Sequence, residues 1–375
     1  MAGKKRGNGE GSISLHPDGR WWARITLPNG KRKAYYGKTR KEVQQKLTTA
    51  LGDQQKGLPI IGERQTVSQF LENWLEHVVK GSVRPRTSES YELNVRRLLP
   101  HLGKLRLAAL TPDAIQAAYA ALLQKGLSRR TVEQAHTVLH TAMRYAVRAR
   151  LLAYNPTDAV MAPRPDRTEM QILDVQQVQR LFESSADDRL HGLWVLLATC
   201  GLRLGEASGL RWEDLDFTEG TLMIRRALQR QRQKGLVLAE PKTARSRRTL
   251  RLPPNVLDAL RQHRARQAEA RLAVGPAWED HGLIFCNVFG RPLDPARVNE
   301  AFHRALDRAG LPRRRVHDLR HSCATLQLKN GAPTHEVSAI LGHSQASTTH
   351  NIYAHATTSG QEEALRRLDA IFAAR

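Results

Sequence analysis

Cysteines, acidic side chains and long apolar runs are all scarce in this sequence. Its 375 residues include only three cysteines, Cys200, Cys286 and Cys323, which are odd in number and widely spaced. That pattern argues against a disulfide framework and favours a reducing compartment. No apolar run approaches the roughly 18 residues that a membrane helix needs, and the basic N-terminus lacks the apolar stretch of a signal peptide. We therefore expect a cytoplasmic protein without a membrane span.

The shortage of acids leaves a large excess of positive charge. Lys and Arg number 59 against 36 Asp and Glu, which gives a formal net charge of +23. A field of this size attracts a polyanion, and nucleic acid is the commonest large one. The alternative is a basic surface that has no specific partner.

Residues 1–60 are predicted to form a small basic domain, with 13 Lys and Arg against 4 Asp and Glu. Three short strands separated by the turns HPDG and PNG are followed by a helix that Thr39 opens. One face of such a sheet can lie in a major groove, and we assign to that face Arg20, Trp22, Arg24 and Lys33. Alternatively, the aromatic residues are the core of a tiny domain. These aromatic residues are Trp21, Trp22, Tyr35 and Tyr36. Alternation along the strands puts about half of them in the core, but it does not show which half.

Residues 65–160 are predicted to form an all-α bundle of four amphipathic helices. Thr66, Pro85, Thr111 and Ser128 stand where these helices should begin. Arginines gather near the helix ends, which fits a module that grips a DNA backbone and fits a solvated bundle equally well. Residues 161–170, MAPRPDRTEM, have the proline and mixed charge of a linker between domains.

Residues 171–375 are predicted to form a mainly-α α+β domain. Helices come first, then the strand patch GTLMIRRAL, KGLVLAE and RRTLRLP, then more helices with one further short strand at GLIFCN. The fold class is therefore multidomain: a three-stranded sheet with a helix, an all-α bundle, and this last domain.

The last segment also holds residues suited to breaking a phosphodiester without a metal. Such a reaction needs a nucleophile, a base for its proton, positive charge on the non-bridging oxygens and a proton for the leaving oxygen. The planar fork of arginine pairs two phosphate oxygens, and the pKa of a lysine falls beside other positive charges. The matching motifs are CGLRLGEASGL, PKTARSRR, VHDLRH, LGH and NIYAH, which supply Arg203, Glu206, Lys242, His317, Arg320, His343 and Tyr353.

Each motif alone also has an ordinary structural explanation. Arg203 with Glu206 has the spacing of a surface ion pair. His317 and His321 could begin a metal site, but a zinc site needs at least three protein ligands, and the spacing turns Cys323 away from both. A tyrosine near a C-terminus usually packs against its own domain. Only the order and spacing of the whole set favour a catalytic interpretation.

The complete set resembles the tyrosine recombinase family, which includes phage lambda integrase, and the resemblance covers the whole chain. It implies an arm-type DNA-binding domain at residues 1–60, a core-binding domain at 65–160 and a catalytic domain at 171–375. It also implies that Tyr353 forms a 3′-phosphotyrosyl bond, that Arg203 and Arg320 hold the scissile phosphate, and that Glu206 supports the site. His317 would manage the tyrosine proton, Lys242 would protonate the leaving 5′-oxygen, and His343 would contact the phosphate.

The assignment of the lysine is the least secure, because Lys234 and Arg245 lie nearby. A departure from the family is Cys200, which stands where threonine often precedes G-L-R.

The resemblance further implies integration and excision of a phage or mobile element in a bacterial host, close to the nucleoid. Double-stranded DNA attachment sites, a homotetramer on DNA, a host DNA-bending protein and an excisionase are the implied partners, and neither ATP nor a metal is required as a cofactor. The apolar stripe of residues 359–375 would pack on a neighbouring subunit in that tetramer, with packing on its own domain as the alternative.

Three other functions remain as alternatives. A type IB topoisomerase shares the chemistry but has no use for a second, specific DNA-binding domain. A DNA-binding regulator without catalysis would have no reason to retain all six catalytic residues. These are Arg203, Lys242, His317, Arg320, His343 and Tyr353. A metal-dependent transposase needs a carboxylate triad, and acids are sparse in this chain.

Overall fold

The computed structural model describes residues 11–26, 32–55, 65–166, 171–232, 234–239 and 247–342. The chain divides into two compact units, Met1–Arg167 and Thr168–Arg375. Within the described ranges, no helix is both long and apolar enough to cross a membrane. The three cysteines are buried and unpaired.

The first unit begins with an antiparallel sheet of three strands, β1 (Ser12–Leu15), β2 (Trp21–Thr26) and β3 (Arg32–Gly37), followed by helix α1 (Arg40–Gln55). Alternation sends Ala23, Ile25 and Tyr35 into a core shared with α1. Trp22 and Tyr36 pair across the opposite face. The aromatic residues are thus divided between core and surface, as the pattern predicted.

The assignment of Lys33 to the free face of this sheet is wrong. Lys33 is paired with Ile25 in the sheet register, which puts it on the core side of β3. Its Nζ lies 5.4 Å from the centre of the Tyr35 ring. A long aliphatic stem allows lysine to cover an apolar face while its charge reaches the edge.

The rest of the first unit is helical. Its helices are α2 (Val67–Trp74), which continues as a π-helical turn (Leu75–Val79), α3 (Pro85–Leu102), α4 (Pro112–Gln124) and α5 (Arg129–Arg148), with short 3-10 turns at Leu107–Ala109 and Pro156–Ala159. Their apolar faces meet in one core that includes Phe70, Leu98, Tyr119 and Leu139. The Thr66 side chain accepts a hydrogen bond from the backbone of Gln69, as a capping box requires.

The second unit packs helices around two small sheets. Its helices are α6 (Val175–Ser184), α7 (His191–Cys200), α8 (Leu204–Ser208), α9 (Pro254–Val274), α10 (Pro295–Arg308), α11 (Val316–Lys329) and α12 (Thr334–Leu341), with 3-10 turns at Trp212–Asp214 and Gly275–Ala277. Strands β4 (Leu215–Asp216), β5 (Thr221–Ile224) and β8 (Arg248–Arg251) form one sheet, and β6 (Ala227–Gln231) with β7 (Gly235–Ala239) forms a hairpin. The predicted fold class is confirmed in all three parts.

Two strands that the sequence predicted differ in the structure. GTLMIRRAL is not one strand, because residues 225 and 226 divide it between two sheets. GLIFCN makes only isolated bridges, at Leu283 and Cys286. Residues 283–286 are all buried. Protein surrounds this apolar run on every side. A short apolar run in a sequence does not distinguish such a buried loop from a buried strand.

Candidate functional site

A tight helix end places Arg203. Helix α7 stops at Gly201, whose φ of +62° is accessible mainly to glycine. A Cβ atom there would lie 2.5 Å from Leu341 Cδ2 and 3.1 Å from Cys323 Sγ. Glycine is therefore required both by the turn and by the close approach of α11 and α12. Two residues later, Arg203 stands at the start of α8.

Arg203 and Glu206 form an ion pair that is buried at its acidic end. Arg203 Nη1 donates to Glu206 Oε1 at 2.7 Å, and the Arg203 backbone N donates to Oε2 at 3.1 Å. The Arg203 side chain is 40% exposed, whereas that of Glu206 is 5% exposed. A carboxylate in this position fixes the guanidinium group without being available to a ligand itself. The pair is therefore not the surface ion pair that its spacing also allowed.

The structure adds Arg248, which the sequence analysis did not select. Its Nη2 donates to Glu206 Oε2 at 3.1 Å and its Nε donates to the Ile340 carbonyl at 2.7 Å. The side chain is only 8% exposed. One signal was available, because strand alternation places Arg248 on the same face of β8 as the buried Leu250.

Two arginines keep Glu206 ionised. Burial alone raises the pKa of this carboxyl group, but the charges and hydrogen bonds of Arg248 and Arg203 outweigh burial and leave the pKa below its ordinary value. Glu206 is therefore a fixed negative charge that holds two guanidinium groups in place.

Arg320 joins two distant segments of the second unit. It lies on α11 and is 3% exposed. Its Nη1 donates to the Gly201 carbonyl at 2.6 Å, and its Nη2 donates to the Leu341 carbonyl at 2.8 Å. These contacts fix the chain before Arg203 against the end of α12.

Three arginines converge on the C-terminal end of α12. The carbonyls of Ile340 and Leu341 accept from Arg248 and Arg320, and Arg203 Nη2 donates to the Gly342 carbonyl at 3.5 Å. The last carbonyls of a helix lack partners within the helix and carry the negative end of its dipole, so cations stabilise them.

Gly342 allows this convergence. Its φ is +66°, and a Cβ atom there would lie 2.8 Å from Arg248 Nη1. His343 is the next residue in the sequence.

His317 lies on α11, one helical turn before Arg320. More than a third of the residue is exposed, and its ring stands edge-on to His321 with centroids 4.8 Å apart. Desolvation by the surrounding protein, with the charges of His321 and Arg320, lowers the pKa of His317 to about 4. The ring is therefore neutral at pH 7 and can accept a proton.

The structure thus brings together part of the predicted set. Arg203 and Arg320 meet at the end of α12, and Glu206 supports the first of them. Lys242, His343 and Tyr353 lie outside the described residues. Within the described ranges, no group of three or more His, Cys, Asp or Glu side chains could hold a metal ion.

We expect Arg248→Met to lower the free energy of unfolding by about 3 kcal/mol, because it removes one partner of a buried carboxylate. Urea denaturation measures this change. In the double variant with Glu206→Gln, the loss should be smaller than the sum of the two single losses, since the residues contact one another. Arg251→Met on the exposed face of β8 is the control. Additive losses would show that the two side chains are not coupled.

The low pKa of His317 predicts how the rate of a reaction that needs its neutral ring would depend on pH. A histidine whose pKa lies below its ordinary value of about 6.5 stays neutral as the pH falls past that value. The single-turnover rate of such a reaction should therefore persist at about pH 5.5. His321→Asn removes one of the groups that lower this pKa, so the acidic fall in rate should move to higher pH. A fall near pH 6.5 in the unmodified protein would exclude a proton-accepting role for a low-pKa His317.

The sequence of this chain matches two protein-family models and several known proteins. Residues 171–359 match the phage integrase family, and residues 66–123 match the phage integrase N-terminal SAM-like domain. A tyrosine recombinase XerC-like protein of Caldanaerobacter subterraneus is 31% identical over 381 residues, which cover 95% of this chain and 97% of the relative. An integrase of Streptomyces ambofaciens is also 31% identical, with 93% of both chains covered.

Solved structures share the fold at lower identity. The Tn1549 transposon integrase in complex with transposon right end DNA has a TM-score of 0.72 and is 23% identical, covering 81% of this chain and all of that one. A lambda integrase dimer bound to a COC′ core site has a TM-score of 0.58 and is 16% identical, covering 94% of this chain and 96% of that one.

Proposed function

Since the chain belongs to the phage integrase family and is a tyrosine-type site-specific DNA recombinase, we propose that it cuts and rejoins DNA through a covalent bond to Tyr353. The observation that carries this proposal is the convergence of Arg203, Arg248 and Arg320 on the end of α12. Positive charge is concentrated there. His343 follows this helix end directly, and Tyr353 lies ten residues after His343.

The cleavage step follows from the roles of these groups. The Tyr353 oxygen attacks the phosphorus atom, a 3′-phosphotyrosyl bond forms, and the bond from phosphorus to the 5′-oxygen breaks. His317, which is neutral at pH 7, receives the tyrosine proton, and Lys242 gives a proton to the departing 5′-oxygen. Rejoining is the reverse, with the 5′-hydroxyl of another strand attacking the phosphotyrosine. The bond energy is retained throughout, so the reaction needs no ATP.

The arginines and His343 stabilise the charge on the phosphate. Arg203 is exposed enough to pair with a non-bridging oxygen directly, and Glu206 orients it. Arg320 adds a buried positive charge, which its contacts with the Gly201 and Leu341 carbonyls hold in place. His343 adds a further hydrogen bond. Preorganised charge of this kind stabilises the transition state without reorganisation at the moment of reaction.

We propose that residues 1–60 bind arm-type sites, that residues 65–160 bind the core site, and that residues 171–375 carry out catalysis. The free face of the N-terminal sheet supports the first assignment. Trp22 and Tyr36 stack there with ring centroids 5.9 Å apart, and the Arg24 guanidinium lies 4.3 Å from the Trp22 ring centre. A flat aromatic and cationic face can contact bases and phosphates together.

Deleting residues 1–60 should reduce the salt dependence of binding to DNA that carries arm-type sites. Each phosphate contact that is lost removes about 0.9 from the slope of log K against log salt. Fluorescence anisotropy at several salt concentrations measures that slope, and cleavage of a short core site should be retained. An unchanged slope would exclude the arm-binding role.

The partners we propose are double-stranded attachment sites and three further copies of the chain. The solved structures that share this fold include a lambda integrase tetramer bound to a Holliday junction and a Tn1549 integrase in complex with a circular intermediate DNA. By analogy we propose strand exchange in a homotetramer, with both integration and excision as outcomes. A host DNA-bending protein and an excisionase would set the direction, in the bacterial cytoplasm at the nucleoid.

The experiment is to trap the covalent intermediate. The purified protein is incubated in EDTA with supercoiled plasmid that carries the DNA flanking its gene, and the reaction is stopped with SDS. We expect a protein–DNA adduct at one crossover site, and mass spectrometry of the digested adduct should place the nucleotide on Tyr353. Adducts at many unrelated sites would favour a topoisomerase. Binding in a shift assay without any adduct would favour a regulator, and cleavage abolished by EDTA would favour a metal-dependent enzyme.

A further inference from the structure

A cavity of about 420 Å³ in the second unit is lined mainly by arginines. Three separate segments supply the arginines. Arg211 precedes the 3-10 turn Trp212–Asp214, Arg225 and Arg226 link β5 to β6, and Arg247 precedes β8. We name this cavity the arginine pocket, and its lining residues are Arg211, Arg225, Arg226, Arg247, Leu238 and Ala239.

Asp214 orders two arginines of the pocket. Its side chain is fully buried, and its carboxylate accepts from Arg225 Nε at 2.9 Å and from Arg226 Nη1 at 3.0 Å. The backbone N of Arg211 donates to the same carboxylate at 2.9 Å. These guanidinium groups are held in place before any ligand arrives, which lowers the entropic cost of binding.

The pocket has an excess of positive charge. Among the described residues, the four guanidinium groups that line the pocket stand beside the carboxylates of Asp214 and Glu213, and Glu213 is 56% exposed. In addition, Arg211 Nε is buried without a hydrogen-bond partner in the part of the chain that the structure describes. A phosphate oxygen beside it offers the acceptor that it lacks, and arginine forks match phosphate geometry.

The pocket is separate from the site of the scissile phosphate. Arg247 and Arg248 are neighbours in extended chain, where successive side chains point to opposite sides. Arg248 faces Glu206 and the end of α12, whereas Arg247 lines the pocket. An anion in the pocket is therefore on the other side of this strand from the catalytic arginines.

We propose that the arginine pocket binds a second phosphate group of the DNA backbone, away from the point of cleavage. Two phosphates held on opposite sides of one strand fix the register of the DNA, because a shift of the duplex would break both contacts. This inference rests on the proposed function only in taking DNA as the source of the phosphate.

Charge-removing substitutions in the pocket test the proposal. Arg247→Gln and Arg225→Gln each leave Arg226 to hold Asp214, and Arg251→Gln on the exposed face of β8 is the matched control. Binding to a core-site duplex is measured by anisotropy over a range of salt concentrations. We expect the slope of log K against log salt to fall by about 0.9 for each pocket variant and to stay unchanged for the control. Pocket variants that behave like Arg251→Gln would overturn the proposal.

A second measurement identifies the phosphate. Duplexes that each carry one neutral methylphosphonate are compared with the unmodified duplex. One position outside the scissile phosphate should weaken binding of the unmodified protein but have little further effect on Arg247→Gln, since the contact is already lost. Absence of any such position would overturn the DNA assignment. If no such position exists and inorganic phosphate at matched ionic strength raises the unfolding midpoint of the unmodified protein but not of Arg247→Gln, the pocket binds a free phosphate instead of DNA.

The covalent adduct is scored in the same samples for the unmodified protein and for Arg251→Gln. If neither forms an adduct, the proposed chemistry fails, while the salt slopes and the methylphosphonate positions still report on the pocket. If both form it and the slopes do not differ, only the pocket proposal fails.

Discussion

Tyr353→Phe should abolish both the covalent adduct and strand cleavage, while the affinity for DNA stays within about twofold of the unmodified protein. The substitution removes one oxygen, which is the atom that attacks phosphorus in the proposed mechanism. The aromatic ring remains, so the substitution changes nothing else in the side chain. In the proposed mechanism no other group supplies the attacking oxygen. The expected effect is therefore loss of detectable product rather than a slower reaction.

The measurement compares adduct yield on denaturing gels with affinity from a shift assay on the same duplex. Tyr154→Phe is a suitable control, since Tyr154 is 64% exposed and belongs to the other unit. If Tyr353→Phe still formed an adduct, another residue would be the nucleophile. If it lost DNA binding as well, the tyrosine would have a structural role that the chemistry does not require.

The order of motifs along the chain selected Arg203 and Arg320, which the structure brings together at the end of α12, but it did not show how these side chains are supported. Arg203 and Glu206 are three residues apart, and that spacing fits both an exposed ion pair and a buried one. Burial of Glu206 decides between them, and burial depends on the fold of the whole unit rather than on this spacing. Arg248 contacts Glu206 and Ile340, which are 42 and 92 residues away in the sequence. No local pattern contains such contacts.

The small sheets show a different limit. Alternation correctly predicted that the N-terminal strands have a core face and a free face. It failed for Lys33, because the register that pairs Lys33 with Ile25 is set by the whole hairpin. At GLIFCN the apolar run is buried on all sides, which periodicity cannot separate from a strand. Local chemistry thus predicts elements well, whereas register and long-range contacts come from the folded chain.

Arg203→Gln should slow single-turnover cleavage by about 100-fold or more, by analogy with the loss of one preorganised donor to a developing oxyanion. Glu206 keeps its contact with Arg248, so the substitution does not leave a buried carboxylate without a partner. Folding should therefore survive, and the defect should lie in the chemical step. Arg203→Lys keeps the charge but loses the planar fork, so we expect an intermediate rate.

A substrate without charge at the reacting group separates this role from a structural one. A methylphosphonate at the scissile position carries no negative charge, so the difference between the unmodified protein and Arg203→Gln should shrink on that substrate. Arg261→Gln is the control, because Arg261 pairs with Asp258 at the same spacing but on an exposed helix face. If Arg203→Gln cleaved at the unmodified rate, or if its defect were equally large on the neutral substrate, Arg203 would serve only to pair with Glu206.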